Sequence, residues 1–241
     1  MEVLIIGDQG SMGRRYEAIL NYLDIPSRGY DNFVANKSNG KDIAYRATVP
    51  RGFLGGHEGV THIIIATPTD NHYWWLKELS QANRKIRILC EKPITKDLNE
   101  MLEIAGMGLD LTMMYQYKEM GTVCTSNNPR TSYYNFYNHG KDGLAWDCIQ
   151  LIGMAERDIL LEEDSPVWHV KTNGNTIESA TVNESYMHFV ESWLNGEEKQ
   201  DIDELLDLHI KTAKLQNKVK FDGKHHSLDW NSSSHKQHKT T

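Results

Sequence analysis

Glycines, a lysine and carboxylates at set spacings are the groups here that could do chemistry. Gly7, Gly10 and Gly13 stand three apart in GDQGSMG, directly after the apolar run VLII. A helix that starts behind a buried strand exposes unpaired amides and a partial positive charge. A phosphate accepts from both when no side chain blocks its approach. Gly10 stands where the backbone would meet a pyrophosphate, with Ser11 and Met12 beside it, and Gly13 where the helix would pack closely on the strand. The usual spacing is G-x-G-x-x-G, and here the first glycine falls one residue early. Asp31 follows Gly10 by 21 residues and closes the run RGY, where an acid would bind ribose hydroxyls. Its carboxylate would repel a 2′-phosphate, which favours NAD over NADP; Arg28 and Lys37 keep NADP open. The same residues also read as a plain tight turn with Asp31 capping a loop.

Two more strand ends carry useful residue types. One is Ala66-Thr67-Pro68-Thr69 followed by Asn71-His72, and the other is Glu91-Lys92-Pro93. In a doubly wound sheet these ends share the carboxyl edge with the glycine turn, where ligands bind. A lysine held there can serve a nicotinamide and a hydroxyl or carbonyl group together.

The elements that must position these groups follow from hydrophobic pattern. EVLII (2–6), 25–30, THIIIATPT (61–69), KIRILCEKP (85–93) and LTMMYQY (111–117) read as strands, and the most apolar of them are continuous runs suited to burial on both faces. Helices are expected over 11–23, 71–83 and 97–105, the last capped by Asp97. This alternation predicts an α/β fold with a doubly wound parallel sheet. Beyond about residue 120 the texture changes. Residues 131–138 and 166–174 read as antiparallel strands, 143–155 as a helix, and 185–196 and 201–216 as further helices. Residues 36–40 read as a polar turn, and the tail from 231 as disordered.

With A-T-P-x-x-x-H, E-K-P and the shifted glycine fingerprint in this order, the chain resembles the Gfo/Idh/MocA family of glucose–fructose oxidoreductases and inositol dehydrogenases. Tyr115-Gln116-Tyr117-Lys118 is similar to the family's G-Y-Q-Y-R segment. The resemblance implies a Rossmann domain over 1–118 and a small α+β domain with an open antiparallel sheet over 119–230. It implies NAD or NADP as cofactor, and a sugar, cyclitol or nucleotide sugar as substrate. By resemblance Lys92 contacts substrate and nicotinamide, and Pro93 shapes that turn with a cis peptide bond. Thr67, Pro68 and His72 line the cofactor side, together with Glu91. Homo-oligomerisation through the C-terminal sheet is expected on the same ground.

The sequence departs from the family at the substrate-handling helix. Asp147 matches, but Gln150 stands where the family carries a histidine. Glutamine hydrogen-bonds a hydroxyl but exchanges no proton near neutrality. Lys92, Tyr115, His139 and Asp147 are the candidates to move one. The catalytic set is thus Lys92, Tyr115, Asp147 and Gln150. A rival reading is a dinucleotide-binding regulator or scaffold without catalysis, and a third is a reductase of a non-sugar substrate such as a linear tetrapyrrole.

Composition bounds the rest. A net charge of −7 argues against a broad nucleic-acid footprint. Three scattered cysteines and no metal-ligand spacing point to a reducing cytosol and to no metal; no apolar run suits a membrane span, so a soluble cytoplasmic protein is expected. Trp74 and Trp75 read as packing, Met113 and Met114 as core strand, and Arg14 and Arg15 as solvated charges.

Overall fold

The computed structural model describes residues 1–31, 53–116, 131–134, 144–147, 149–154, 159–162, 169–172, 175–217, 220–221 and 226–229. The turn expected at 36–40, Lys37, Lys118, His139 and the tail from 231 lie outside them. The chain falls into two compact units, Met1–Met114 with Phe189–Leu206, and Tyr115–His188 with Asp207–Thr241.

The first unit holds five strands: β1 (Val3–Ile6), β2 (Ser27–Tyr30), β3 (His62–Ile65), β4 (Arg87–Cys90) and β5 (Asp110–Met113). They form one sheet in the order β2-β1-β3-β4-β5, every pair parallel. The continuous apolar runs are the interior strands, as two-sided burial requires. Val3 to Ile6 and Ile63 to Ile65 are at most 1% exposed. The polar SRGY of β2 lies at the edge. Helices α1 (Ser11–Tyr22), α2 (His72–Leu79) and α3 (Leu98–Ala105) follow β1, β3 and β4. Asp97 caps α3 as expected, its Oδ1 accepting from the amides of Asn99 and Glu100 at 2.8 and 3.4 Å. Trp75 is core, its ring 5.0 Å from Phe53 and 5.7 Å from Tyr30.

Phe189–Leu206 groups with this unit, whereas the sequence reading kept 119–230 together. The reason is a set of long-range contacts that no local pattern encodes. Arg87 on β4 donates through Nη1 to the carbonyls of Trp193 and Leu194 at 3.0 and 3.3 Å, at the end of a helix where cations are favoured. Gln200 donates to the Met113 carbonyl and accepts from the Met113 amide, at 3.0 and 2.8 Å, as a neighbouring strand would. The Trp193 ring meets His62 edge-on at 5.3 Å.

The second unit contains β6 (Thr131–Tyr134), α4 (Leu144–Asp147), α5 (Ile149–Met154), β7 (Ile159–Glu162), β8 (His169–Thr172), β9 (Asn175–Glu178), β10 (Lys220–Phe221) and β11 (His226–Asp229). Helices α6 (Ser179–Asn195) and α7 (Ile202–Gln216) each contribute to both units. The strands pair in the order β10-β11-β7-β6-β8-β9. All pairs are antiparallel except β6–β7, which is parallel. A parallel pair needs a crossover connection, and α4 and α5 lie in the chain between these two strands.

Candidate functional site

The carboxyl ends of β2, β1, β3 and β4 are fastened side by side beyond their regular ladders. The Gly7 amide donates to Tyr30 O, Ala66 to Ile6 O and Glu91 to Ile65 O, at 2.8, 2.8 and 3.0 Å. The glycine turn, the A-T-P turn and the E-K-P turn therefore share one edge. The strand order reverses between β1 and β3, so Gly7 and Ala66 flank the switch point at which open α/β sheets bind ligands. Asp31 is the exposed residue that follows β2 on the same edge.

Gly7 and Gly13 stand where a side chain does not fit. Gly7 has φ +88°, and a side chain on it would come within 3.0 Å of the Ala66 carbonyl and the Thr67 amide. A methyl group on Gly13 would lie 2.1 Å from the Gly7 carbonyl oxygen, so only hydrogen fits between α1 and the strand end. Gly10 caps α1 without a side chain, Ser11 and Met12 begin the helix, and its first turn carries no acid. The amino end of α1 thus keeps its partial positive charge for an anion. Beside it, Thr67 Oγ1 is buried and finds no hydrogen-bond partner among the described residues. A glycine cradle and an uncapped helix start fit a dinucleotide's diphosphate, and the orphaned hydroxyl beside them is open to another part of the dinucleotide.

Two buried side chains hold the turns in place. His72 is 1% exposed. Its Nδ1 lies 3.0 Å from Pro93 O and its Nε2 2.7 Å from Thr67 O, so it clasps the A-T-P turn to the E-K-P turn. Burial pushes the imidazole below its usual 6.5, while the two carbonyls pull the other way. A neutral ring donates to only one of them. His72 thus sits buried between the two turns and joins them. Glu91 is 7% exposed; Oε1 accepts from the Tyr16 hydroxyl at 2.6 Å and Oε2 from the Lys92 amide at 3.2 Å. Its carboxylate ties α1 to the E-K-P turn. The Lys92–Pro93 peptide is cis, as the resemblance implied. Lys96 pairs with Asp70 at 3.0 Å, joining the loops that follow Pro93 and Pro68.

Residues 36–109 match the model of an oxidoreductase family with an NAD-binding Rossmann fold, Gfo/Idh/MocA. That stretch starts beyond the glycine turn, so the match is independent of it. Over that stretch the chain is similar to the Gfo/Idh/MocA oxidoreductases. Several solved dehydrogenase structures are similar to this chain along most of its length. One is the WlbA (WbpB) dehydrogenase from Thermus thermophilus in complex with NAD and UDP-GlcNAcA, 14% identical, covering 90% of this chain and 94% of that one, with a TM-score of 0.59. Another is a myo-inositol dehydrogenase from Corynebacterium glutamicum, 12% identical over 90% and 95%, at 0.58. A third is the scyllo-inositol dehydrogenase from Lactobacillus casei with bound NAD(H) and scyllo-inositol, 11% identical over 90% and 96%, at 0.54. At such identities the likeness is one of fold. No curated protein matches the sequence.

In the second unit, Tyr115 and Gln150 come together. The Tyr115 hydroxyl donates to the Gln150 carbonyl at 2.7 Å, and Gln150 Nε2 donates to Gln116 Oε1 at 2.6 Å. Gln150 is fully buried and is built into an interior amide pair with Gln116. Asp147 lies on α4, and its side chain is outside the described residues. Lys211 Nζ donates to the Ile152 carbonyl at 3.0 Å, and burial lowers its pKa from the usual 10.5. Sequence reasoning missed Tyr16, whose helical position signals only an apolar face. It also missed Gln116, although that residue lies inside the motif resembling G-Y-Q-Y-R. Among the described residues no three His, Cys, Asp or Glu side chains group as metal ligands, and no helix is long and apolar enough to cross a membrane.

Proposed function

We propose that the chain is an NAD-dependent oxidoreductase that moves a hydride between nicotinamide and a carbinol or carbonyl carbon of a sugar, cyclitol or nucleotide sugar. One observation carries this reading: the glycine turn, the orphaned Thr67 hydroxyl and Lys92 stand on one fastened sheet edge. The amides at the start of α1 would hold the diphosphate, Asp31 the ribose hydroxyls, and Thr67 and Pro68 the nicotinamide half. Bound there, the dinucleotide would supply or accept the hydride. Lys92 would polarise the substrate oxygen through Nζ and hold its proton. The dehydrogenases of similar fold bind or act on UDP-GlcNAcA and inositols, which supports a polyhydroxylated substrate. The second unit, with its mostly antiparallel sheet, would serve as the family's substrate domain and oligomerisation surface, with Asp147 as its polar contact.

NADH fluorescence titration, followed by turnover against a panel of sugars, inositols and nucleotide sugars, tests the reading. Wild type should bind and turn over, and Lys92→Ala should bind NADH normally but lose at least 100-fold in kcat. Turnover undiminished in Lys92→Ala refutes the role given to that lysine. The buried Gln150–Gln116 pair favours a second reading, a dinucleotide-responsive regulator without catalysis. Tight NADH binding with no turnover of any substrate in the panel supports it.

A further inference from the structure

The residue that lengthens the glycine fingerprint is placed against β2. Asp8 follows Gly7, and its carboxylate lies over Gly29, so closely that a methyl group there would sit 2.1 Å from Oδ2 and 2.4 Å from Cγ. Glycine at position 29 makes the room that this carboxylate fills. Oδ2 accepts at 2.7 Å from Gln9, an exposed neighbour, while Oδ1 is buried with no partner among the described residues. The turn is pinned to the end of β2 by the Gly7 amide on Tyr30 O. Asp8 therefore brings a second acid to the strand end from which Asp31 emerges. The arginine of that strand does not offset them: Arg28 donates from Nε to Glu2 Oε1 at 2.6 Å, beside the start of β1 at the opposite end of the sheet.

A half-buried carboxylate accepts hydrogen bonds from donors and repels anions. A ribose diol offers donors, whereas a 2′-phosphate offers only charge of the same sign. We propose that Asp8, seated on Gly29, is a specificity-determining residue that selects a dinucleotide with an unphosphorylated adenosine ribose. This rests on the dinucleotide reading above and goes beyond it by adding to Asp31 a determinant on the glycine turn itself.

The test is fluorescence titration of the full chain with NADH and with NADPH, in wild type, Asp8→Asn, Asp8→Ser and Gly29→Ala, each checked for folding by urea denaturation. Wild type should prefer NADH. Asp8→Asn and Asp8→Ser should narrow the NADPH-to-NADH ratio of Kd at least tenfold, equivalent to about 1.4 kcal/mol, mainly by tightening NADPH. Gly29→Ala keeps the charge but displaces it, and should narrow the ratio in the same direction. It also covers the case in which an Asp8 variant fails to fold. A wild type that binds NADH with a ratio unchanged within twofold in all folded variants overturns the role of Asp8 alone. A wild type that prefers NADPH does the same. A wild type that binds neither dinucleotide overturns the oxidoreductase reading, and the inference with it.

Discussion

Tyr16→Phe removes one oxygen from the interior of the first unit and tests how helix α1 is held. Tyr16 is fully buried, and its hydroxyl donates at 2.6 Å to Glu91, itself 7% exposed. The ring volume barely changes, so cavity effects are small, and the loss is that of a hydrogen bond to a charged group. Such bonds are worth about 1.5–3 kcal/mol, and the upper part of the range applies because the carboxylate oxygen is left enclosed without its donor. In a chain of this length that corresponds to a fall in melting temperature of about 3–12 °C. The Glu91 carboxylate also fixes the Lys92 amide at 3.2 Å, so loosening it should disturb both ends of the site. NADH affinity should fall several-fold with no change in any residue facing the nucleotide. Urea denaturation followed by tryptophan fluorescence and hydrogen exchange over α1 measure the first effect, and NADH titration the second. In a Glu91→Gln background the cost of Tyr16→Phe should shrink, since a neutral amide left unpaired is less costly than a carboxylate. A Tyr16→Phe protein within about 0.5 kcal/mol of wild type, or an undiminished cost beside Glu91→Gln, refutes the argument.

Gly13→Ala should lose more than about 2 kcal/mol of stability despite alanine's better helix propensity, because its methyl group meets the Gly7 carbonyl at 2.1 Å; an unchanged urea midpoint would contradict this. The His72 imidazole is held below 6.5 by burial, so the unfolded chain takes up a proton there before the folded one does. Its contribution to stability is complete above pH 6.5 and is lost as pH falls from 6.5 towards the folded value. His57 and His62, also lowered by burial, act in the same direction, so the measurement is the difference between wild type and His72→Gln at pH 7.5 and 5.5, and the variant should show the flatter decline. Cys90 is buried and its thiol is pushed well above 9.0 by burial and by the Glu91 charge. Iodoacetamide at pH 8 should leave Cys90 unmodified in the native protein and alkylate it in urea, as read by mass spectrometry of its peptide.

The sequence by itself determined the interior of the first sheet. VLII, HIII and RILC are apolar without alternation, and only strands covered on both faces need that composition. It also determined the glycine turn and the Asp97 cap, because each depends on residues within a few positions of one another. Much of the second unit was not legible. Strands β7, β9, β10 and β11 are not among the expected strands, and the hydrogen bonds to distant partners define them. The same reason hid the contacts that make the edge rigid. Tyr16 reaches Glu91 across 75 positions, His72 reaches Pro93 across 21, and Gln200 reaches Met113 across 87. A side chain's local spacing reports which face it turns to the core. Which buried donor meets which buried acceptor there depends on the order of strands in the sheet, and that order is fixed only when the whole chain has packed.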